Sequence, residues 1–482
     1  MSMGKALNQL TIAEAAQGLR RKDFSAIELT ESCLVRVHER NTDLNAFITV
    51  CDEIACEEAR LADKRLESNQ AEPLTGIPFS VKDAICTKDV LSTAAAKILG
   101  NYTPAFDATV VGKIRGQGAV LLGKTNCDTF GHGASNENSM YGPVKNPHDL
   151  TKVSGGSSGG SAASVADHSS IFSIGEDTGG SIRQPAALCG IVGFRPTYGR
   201  NSRFGIMPMA SSLDVVGPLA KTVEDVAILM EVMAGYDPLD LTTVSDQAPL
   251  FTEEIKRSIK GLRAGVPKEY FDMQGMDEET KILVEEKINV LQDLGVTLFP
   301  VSLPYTKYAV PVYYIIVPSE DSSNLARFDG IRYGVRSGGE DLYDTYALSR
   351  AAGLPTEVKR RIMIGTYALS AGYYDAYYRQ AQKVRTLIRQ DFETVFHHVD
   401  FLVTPTSPFP AFPFGSKTEN VLAMYLADVF VSPSSVAGLP SLSIPAGYTK
   451  SKLPVGLQII GPSLSDALVL RVGHQLEKLS LV

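Results

Sequence analysis

The sequence predicts an α/β protein with a large mixed, mostly parallel β-sheet that helices cover on both faces. Short, continuously apolar segments recur along the chain, and segments with helical periodicity separate them. Such apolar strands joined by helices are typical of parallel sheets that are buried on both faces. The 482 residues are 44% hydrophobic and 21% charged, which are ordinary values for a globular protein and exclude a disordered or fibrous chain.

The N-terminal region, about residues 1–70, is predicted to be helical. Two capping boxes precede apolar patterns of helical period in this region: Thr11 with Glu14, and Ser25 with Glu28. A further helix is expected near 52–68.

Beyond residue 70, apolar runs predict strands and periodic segments predict helices. The strands are expected at 76–83, 119–123, 171–175, 262–266, 296–301, 401–403 and 456–460. The helices are expected near 107–117, 181–188, 278–294, 370–398 and 464–478, and the tyrosines of the fourth are expected to pack. We predict one domain over 1–482, in which about 71–235 form the core with the site and the remainder completes the sheet and the substrate pocket.

The net charge and the spacing of the cysteines limit which molecules the chain is expected to bind and where in the cell it is expected to work. A formal net charge of −8 argues against a broad nucleic-acid surface on this chain. The six cysteines lack metal-ligand or redox spacing, so we expect reduced, mostly buried thiols and no metal site. Without an apolar signal segment or a membrane-length apolar run, a cytoplasmic location without membrane attachment is expected, with an organellar matrix as the alternative.

Two loops rich in glycine and serine, at 155–161 and 177–185, carry the densest chemical signal. Neither ends in the Gly-Lys-Ser/Thr of a phosphate-binding loop, so phosphate binding is disfavoured. Residues 156–160 match the Gly-x-Ser-x-Gly pattern of a hydrolase nucleophile elbow with Ser158 at its centre, although glycine-rich loops match it readily.

A serine nucleophile with a lysine base is the third interpretation of these loops. A serine hydroxyl attacks only when a neighbour takes its proton, and a lysine does so only in its neutral form, which burial favours. Lys82 ends an apolar strand, and Ser157 lies among glycines that permit unusual turns. The glycines before Ser181 leave backbone N–H groups available for an oxyanion.

The two loops and the lysine resemble the signature of the amidase signature family. The Gly-Gly-Ser-Ser-Gly-Gly-Ser block stands at 155–161, and the Asp-Thr-Gly-Gly-Ser-Ile-Arg-Gln-Pro block stands at 177–185. Lys82 matches the family lysine, and its spacing to the two serines matches as well. The resemblance covers nearly the whole chain and implies the amidase-signature fold.

The resemblance implies a catalytic role for each of these residues. Ser181 would attack a carboxamide, and Ser157, on a cis peptide bond, would relay its proton to Lys82. The oxyanion would be bound by the backbone N–H groups of Thr178, Gly179, Gly180 and Ser181. No metal and no cofactor are implied for this chain.

Within the family, the chain is most similar to the glutaminase subunits of tRNA-dependent amidotransferases. The supporting stretches are 195–200, 210–218, 327–334, 372–378 and 453–461. The resemblance implies that glutamine is held by Tyr313, Arg361 and Asp428, although Tyr314 leaves the choice of tyrosine open. A guanidinium suits the α-carboxylate of glutamine, and a carboxylate suits its α-ammonium.

The resemblance also implies a heterotrimer with amidotransferase subunits B and C. The B partner would bind ATP and Mg, hold most of the tRNA, and use the ammonia to amidate Glu-tRNA(Gln), with Asp-tRNA(Asn) as an open second acceptor. A freestanding amidase for another small carboxamide and a catalytically silent scaffold are the alternatives. The retained Arg361 and Asp428 favour glutamine, because simple amides lack both charges.

The chain departs from the family pattern in two places. Ser154 stands where a proline usually precedes the glycines. Residues 125–133 read Thr-Asn-Cys-Asp-Thr-Phe-Gly-His-Gly, where the glutaminase subunits typically have Thr-Asn-Met-Asp-Glu-Phe-Ala-Met-Gly. We expect His132 to be an exposed loop residue rather than a pocket residue.

Overall fold

One large mixed β-sheet organises the computed structural model, which describes residues 5–417 and 424–480. Within these residues the sheet contains 11 strands: β1 Phe47–Val50, β2 Pro78–Lys82, β3 Val120–Thr125, β6 Phe172–Asp177, β7 Val192–Arg195, β8 Val215–Ala220, β9 Arg263–Pro267, β10 Thr297–Val301, β11 Phe401–Pro405, β12 Ser441–Tyr448 and β13 Pro454–Ile460. Their order across the sheet is β1-β3-β2-β6-β8-β7-β12-β13-β11-β9-β10. Two further strands, β4 Lys145–Asn146 and β5 Asp149–Val153, pair with each other outside it.

Helices lie between the strands and at the ends of the chain. They are α1 Ile12–Arg21, α2 Ala26–Leu44, α3 Asp52–Glu67, α4 Thr109–Gly116, α5 Gly159–Ala166, α6 Arg183–Cys189, α7 Val223–Met233, α8 Phe251–Glu254, α9 Glu278–Asp293, α10 Ala309–Asn324, α11 Leu342–Gly353, α12 Thr356–Leu369, α13 Tyr378–Phe396, α14 Ser432–Ala437 and α15 Asp466–Ser480. Both predicted capping boxes are present, at the starts of α1 and α2. Within the described ranges, the helices fall short of the length and apolarity that a bilayer crossing requires.

The α/β class and the mixed sheet are confirmed, but parallel pairing is less extensive than the sequence predicts. Parallel neighbours form two blocks, β3-β2-β6 and β11-β9-β10. The remaining neighbours in the sheet are antiparallel. The expectation of a mostly parallel sheet is therefore wrong, because β7, β8 and β12, which apolar periodicity did not reveal, place antiparallel pairs in the centre.

The predicted long helix over 370–398 is also corrected. Helix α12 ends at Leu369 and α13 begins at Tyr378, with a turn at 370–377 between them. Ser370 caps α12 in an extended conformation and Gly372 takes φ +87°, so neither residue can continue a helix. Three of the four tyrosines, at 373, 374 and 377, are 41–46% exposed, so this stripe packs ring against ring near the surface and not in the core.

The pairing of β2 with β6 positions the candidate catalytic residues. These strands are parallel neighbours, with Val81 opposite Ile174. Phe79 and Phe172 stack with ring centroids 5.2 Å apart and bury this part of the sheet. Because parallel strands end at the same edge of a sheet, the residues that follow β2 and β6 meet there.

A close approach of α10 and α12 positions the substrate end of the site. A methyl group at Gly365 on α12 would overlap the carbonyl group of Pro318 on α10, so glycine is required at this crossing. Tyr313 and Tyr314 lie about one turn before Pro318, and Arg361 lies one turn before Gly365. The crossing therefore places the tyrosines of α10 beside the arginine of α12.

Replacing Gly365 by alanine tests this helix crossing. We expect Gly365→Ala to lower the free energy of unfolding by about 1–3 kcal/mol, because the added methyl must push two packed helices apart. Denaturant unfolding measures the change. Gly116→Ala is the matched control, since Gly116 also lies in a helix and its added Cβ meets no atom within 4 Å; it should not destabilise the protein. Equal effects of the two substitutions would contradict the interpretation.

Candidate active site

Lys82 and Ser157 form a buried hydrogen-bonded pair at the end of β2. Lys82 is the last residue of β2, and its Nζ donates to Ser157 Oγ at 2.8 Å. Their residues are 0% and 1% exposed. The peptide bond between Gly156 and Ser157 is cis, as the family resemblance implies. The structure thus brings together two residues that lie 75 positions apart in the sequence.

Ser181 lies on the loop between β6 and α6 and is the most accessible of the three candidate catalytic residues. It is 6% exposed, whereas Lys82 and Ser157 are sealed from solvent. The backbone N–H of Ser158 donates to the carbonyl oxygen of Ser181 at 3.1 Å. This bond ties the two serine-rich loops together and places Ser181 next to the Ser157 turn.

Two glycines before Ser181 leave no room for side chains. A Cβ at Gly179 would lie 2.6 Å from the Tyr313 ring, and one at Gly180 would overlap Val431. Gly180 also takes φ +144°, which L side chains rarely adopt. The backbone of this loop is consequently bare where it faces Tyr313.

A buried ion cluster around Asp177 anchors this loop. Asp177 accepts two hydrogen bonds from Arg183, at 3.0 Å each, and one from Arg195 Nη1 at 2.9 Å. All three side chains are fully buried. Burial by itself raises the pKa of Asp177, but the charges of Arg183 and Arg195 more than offset it and hold the pKa well below its usual value.

The predicted substrate residues lie close to this loop, and the structure separates the roles of the two tyrosines. Tyr313 packs against Gly179, whereas the ring of Tyr314 lies 4.9 Å from the guanidinium carbon of Arg361. Asp428 ends a short 3₁₀ helix and is buried. Burial raises the pKa of the Asp428 carboxyl to about 8, although the charge of Arg361 opposes the rise.

A cavity of about 160 Å³ opens beside Arg361. Its lining includes Ser135, Tyr314, Glu357, Arg361 and Tyr425. The sequence analysis did not identify Glu357 or Tyr425. Glu357 carried a signal all the same, because it precedes Arg361 by four residues, a spacing that places two side chains on one face of a helix.

His132 is a buried residue, and the expectation that it is exposed is wrong. Its Nε2 lies 2.8 Å from Asp321 Oδ2, and its Nδ1 lies 3.2 Å from the carbonyl oxygen of Thr129. The Thr129 carbonyl oxygen only accepts, so this contact is a hydrogen bond in the tautomer that carries a proton on Nδ1. Helix α10 supplies Asp321 from 189 residues away, which no local pattern could reveal.

Glu176 is a second buried group that the sequence analysis missed. Neither of its carboxylate oxygens has a hydrogen-bond partner among the described residues. A Cβ at Gly131 would lie 3.5 Å from Glu176 Oε1 and 3.7 Å from Ser157 Oγ, so Glu176 lies near the Lys82–Ser157 pair. Burial raises the pKa of Glu176, and the charges of Lys82 and His132 oppose the rise. Its only sequence signal is its place just before the second signature block.

Comparison with known families identifies the class of protein that this fold and site define. The family model described as Amidase matches residues 28–470. The chain therefore belongs to the amidase family. No group of three or more histidine, cysteine or acidic side chains suited to a metal ion occurs within residues 5–417 and 424–480.

Three proteins of known name are similar to this chain over almost their whole length. The chain is 49% identical over 473 residues to the A subunit of glutamyl-tRNA(Gln) amidotransferase from Desulfatibacillum aliphaticivorans, covering 98% of each chain. It is 51% identical to the protein of the same name from Cellvibrio japonicus, covering 98% of this chain and 97% of that one. The crystal structure of the Thermotoga maritima protein of this name is 40% identical, with a TM-score of 0.83 and coverage of 98% and 95%.

Replacing Asp177 by asparagine tests the ion cluster. We expect Asp177→Asn to lower the free energy of unfolding by about 3–5 kcal/mol, because two buried guanidinium charges lose their counter-charge. Denaturant unfolding is the measurement. The matched control is Asp375→Asn, which removes an exposed ion pair with Arg379 and should change stability by less than about 1 kcal/mol. A loss at Asp177 as small as that of the control would show that the cluster is not an anchor.

Proposed function

We propose that this protein is the glutaminase component, the A subunit, of a glutamyl-tRNA(Gln) amidotransferase. It hydrolyses glutamine to glutamate and ammonia, and a partner protein uses the ammonia to convert Glu-tRNA(Gln) to Gln-tRNA(Gln). The observation that carries this proposal is the similarity at about half identity to proteins of this name over 98% of the chain. The buried Lys82–Ser157 pair next to Ser181 supports it, because a catalytically silent scaffold would not need that arrangement.

In the proposed reaction, Ser181 Oγ attacks the side-chain carboxamide carbon of glutamine. The proton of Ser181 passes to Ser157 Oγ, while the proton of Ser157 passes to Lys82 Nζ, which lies 2.8 Å away and acts as the base. When the C–N bond breaks, the proton returns along the same path to the leaving nitrogen, and ammonia departs. Water then attacks the ester on Ser181 by the same relay and releases glutamate.

The oxyanion of the tetrahedral intermediate is proposed to bind backbone N–H groups of the loop from Thr178 through Gly179 and Gly180 to Ser181. The bare backbone at the two glycines supports this assignment, because no side chain there competes with the substrate. The Asp177 cluster holds the start of the loop, so its N–H groups are oriented before the reaction begins.

Glutamine is proposed to bind with its two charged groups toward opposite charges. Arg361 takes the α-carboxylate, Asp428 takes the α-ammonium, and Tyr313 packs at the reacting end against Gly179. The support is electrostatic: an arginine and a carboxylate are buried near the same loop, and neutral amides would use neither.

We propose that the chain works in a heterotrimer with amidotransferase subunits B and C. It needs no cofactor of its own, whereas ATP and Mg bind to the B partner. The net charge of −8 supports tRNA contact mainly through that partner, and Asp-tRNA(Asn) is a second candidate acceptor. The cytoplasm is the proposed compartment.

Co-purification with subunits B and C, followed by a glutaminase assay, tests the proposal. Ammonia release from glutamine should occur in the complex, and Glu-tRNA with ATP should consume the ammonia as Gln-tRNA forms. Hydrolysis of neutral carboxamides without hydrolysis of glutamine would contradict the proposal and indicate a freestanding amidase.

Ser181→Ala tests the nucleophile. We expect ammonia release from glutamine to fall by more than about 10³-fold, because removal of a serine nucleophile leaves only binding and oxyanion stabilisation. Ser258→Ala, at an exposed serine outside the site, is the control and should keep wild-type activity. Normal activity of Ser181→Ala would refute the assignment.

The pH dependence of glutamine binding tests Asp428. Only the ionised carboxylate attracts an α-ammonium, and burial raises the pKa of Asp428 to about 8. The KM for glutamine should therefore fall about fivefold between pH 7 and pH 8, as the ionised fraction of a group with that pKa rises. Asp428→Asn should raise the KM and abolish this pH dependence. A KM that is flat over this range in the wild type would contradict the assignment.

A further inference from the structure

We infer that Glu357 is a positioning residue for the substrate, which holds the guanidinium of Arg361 so that its two Nη atoms face the α-carboxylate of glutamine. The inference rests on the proposed function, because it requires a substrate with an α-carboxylate. Glu357 does not touch the reacting atoms, and it acts through Arg361.

The contacts of Glu357 support this role. Its Oε1 accepts a hydrogen bond from Arg361 Nε at 2.9 Å and another from the Tyr425 hydroxyl at 3.3 Å. Glu357 and Arg361 lie one turn apart on α12, with side chains only 11% and 4% exposed. An exposed helix pair contributes little to positioning, but a buried charge-assisted bond fixes the geometry of both groups.

The hydrogen bond from Arg361 Nε to Glu357 leaves the two Nη atoms of the guanidinium available for a ligand. Among the described residues, no hydrogen bond engages the two Nη atoms of Arg361. Both Nη atoms together form the fork that binds a carboxylate in bidentate fashion. The cavity of about 160 Å³ lies against this same arginine, so the fork has space in which to receive an anion.

Two aromatic rings fix the plane of the guanidinium. Its central carbon lies 4.9 Å from the ring centroid of Tyr314 and 5.7 Å from that of Tyr425. These two rings stack on each other with centroids 3.5 Å apart. The rings therefore restrict the tilt of the group while Glu357 restricts its rotation, and Tyr425 joins both restraints through its hydroxyl.

The negative charge of Glu357 opposes its positioning effect, so the direction in which a substitution changes the KM for glutamine is informative. A carboxylate near the fork repels the α-carboxylate of glutamine, but Glu357 also pairs with Arg360. Arg360 thus offsets part of the negative charge. If repulsion dominated, removal of Glu357 would lower the KM for glutamine; if orientation dominates, removal raises it.

Steady-state kinetics of Glu357→Ala in the assembled complex tests the inference. We expect the KM for glutamine to rise about tenfold with kcat unchanged, because the fork loses its fixed orientation. Hydrolysis of propionamide, a primary amide with neither α group, should not change. Glu357→Gln should show a smaller rise, since its amide oxygen still accepts from Nε, and it serves as the second variant if the alanine variant does not fold. Unchanged or lowered KM values for glutamine in both variants would overturn the inference.

A double-mutant cycle separates positioning from general damage. In an Arg361→Ala background, Glu357→Ala should add no further rise in KM, because its effect passes through Arg361. The same tenfold rise in both backgrounds would overturn the inference. Glu393→Gln is the matched control: it weakens the exposed pair with Arg389, which has the same spacing on α13, and should leave the KM unchanged.

The outcomes separate this inference from the proposed function. A wild-type complex that releases no ammonia from glutamine contradicts the proposed function and the inference with it. A wild-type complex that hydrolyses glutamine, with Glu357 variants of wild-type KM, contradicts the inference alone.

Discussion

The buried carboxylate of Asp177, held between the guanidinium groups of Arg183 and Arg195, is the interaction on which the site depends. Arg183 also donates to Ser434 and Gln458, so the cluster joins the end of β6 to α14 and β13. A buried charge of either sign is costly unless it is paired and hydrogen-bonded. A rearrangement of the cluster would leave buried charges unpaired, so the cluster holds the start of the Ser181 loop against the sheet.

The candidate catalytic residues lie where parallel strands end, and burial governs their chemistry. Lys82 and Asp177 end the neighbouring strands β2 and β6, so the pairing of two strands brings the Lys82–Ser157 pair and the Ser181 loop to one edge. Glu176 and the His132–Asp321 pair add buried titratable groups near this edge. Electrostatic interactions are strong in such a low-dielectric setting, so charge changes at these residues influence one another.

The groups proposed to recognise the substrate come from different elements than the proposed relay. The strand ends hold Lys82, Ser157 and Ser181, whereas α10, α12 and the segment around Asp428 supply the groups proposed to hold glutamine. The crossing of α10 and α12 at Gly365 allows Tyr313 to meet the Ser181 loop at Gly179. This separation explains how a family can keep one amide-cleaving apparatus while its helices present different pockets to different amides.

The sequence by itself determined the α/β class, the helix caps and the two glycine- and serine-rich loops with their candidate lysine, because periodicity, capping and turn-forming glycines are local properties. The tertiary structure alone decided which strands pair antiparallel, since an apolar strand encodes burial and not the direction of its neighbour. It also decided that Tyr313 meets the loop while Tyr314 meets Arg361, and that His132 is buried with Asp321. These contacts join residues far apart in the chain, and only the packing of helices on the sheet brings them together.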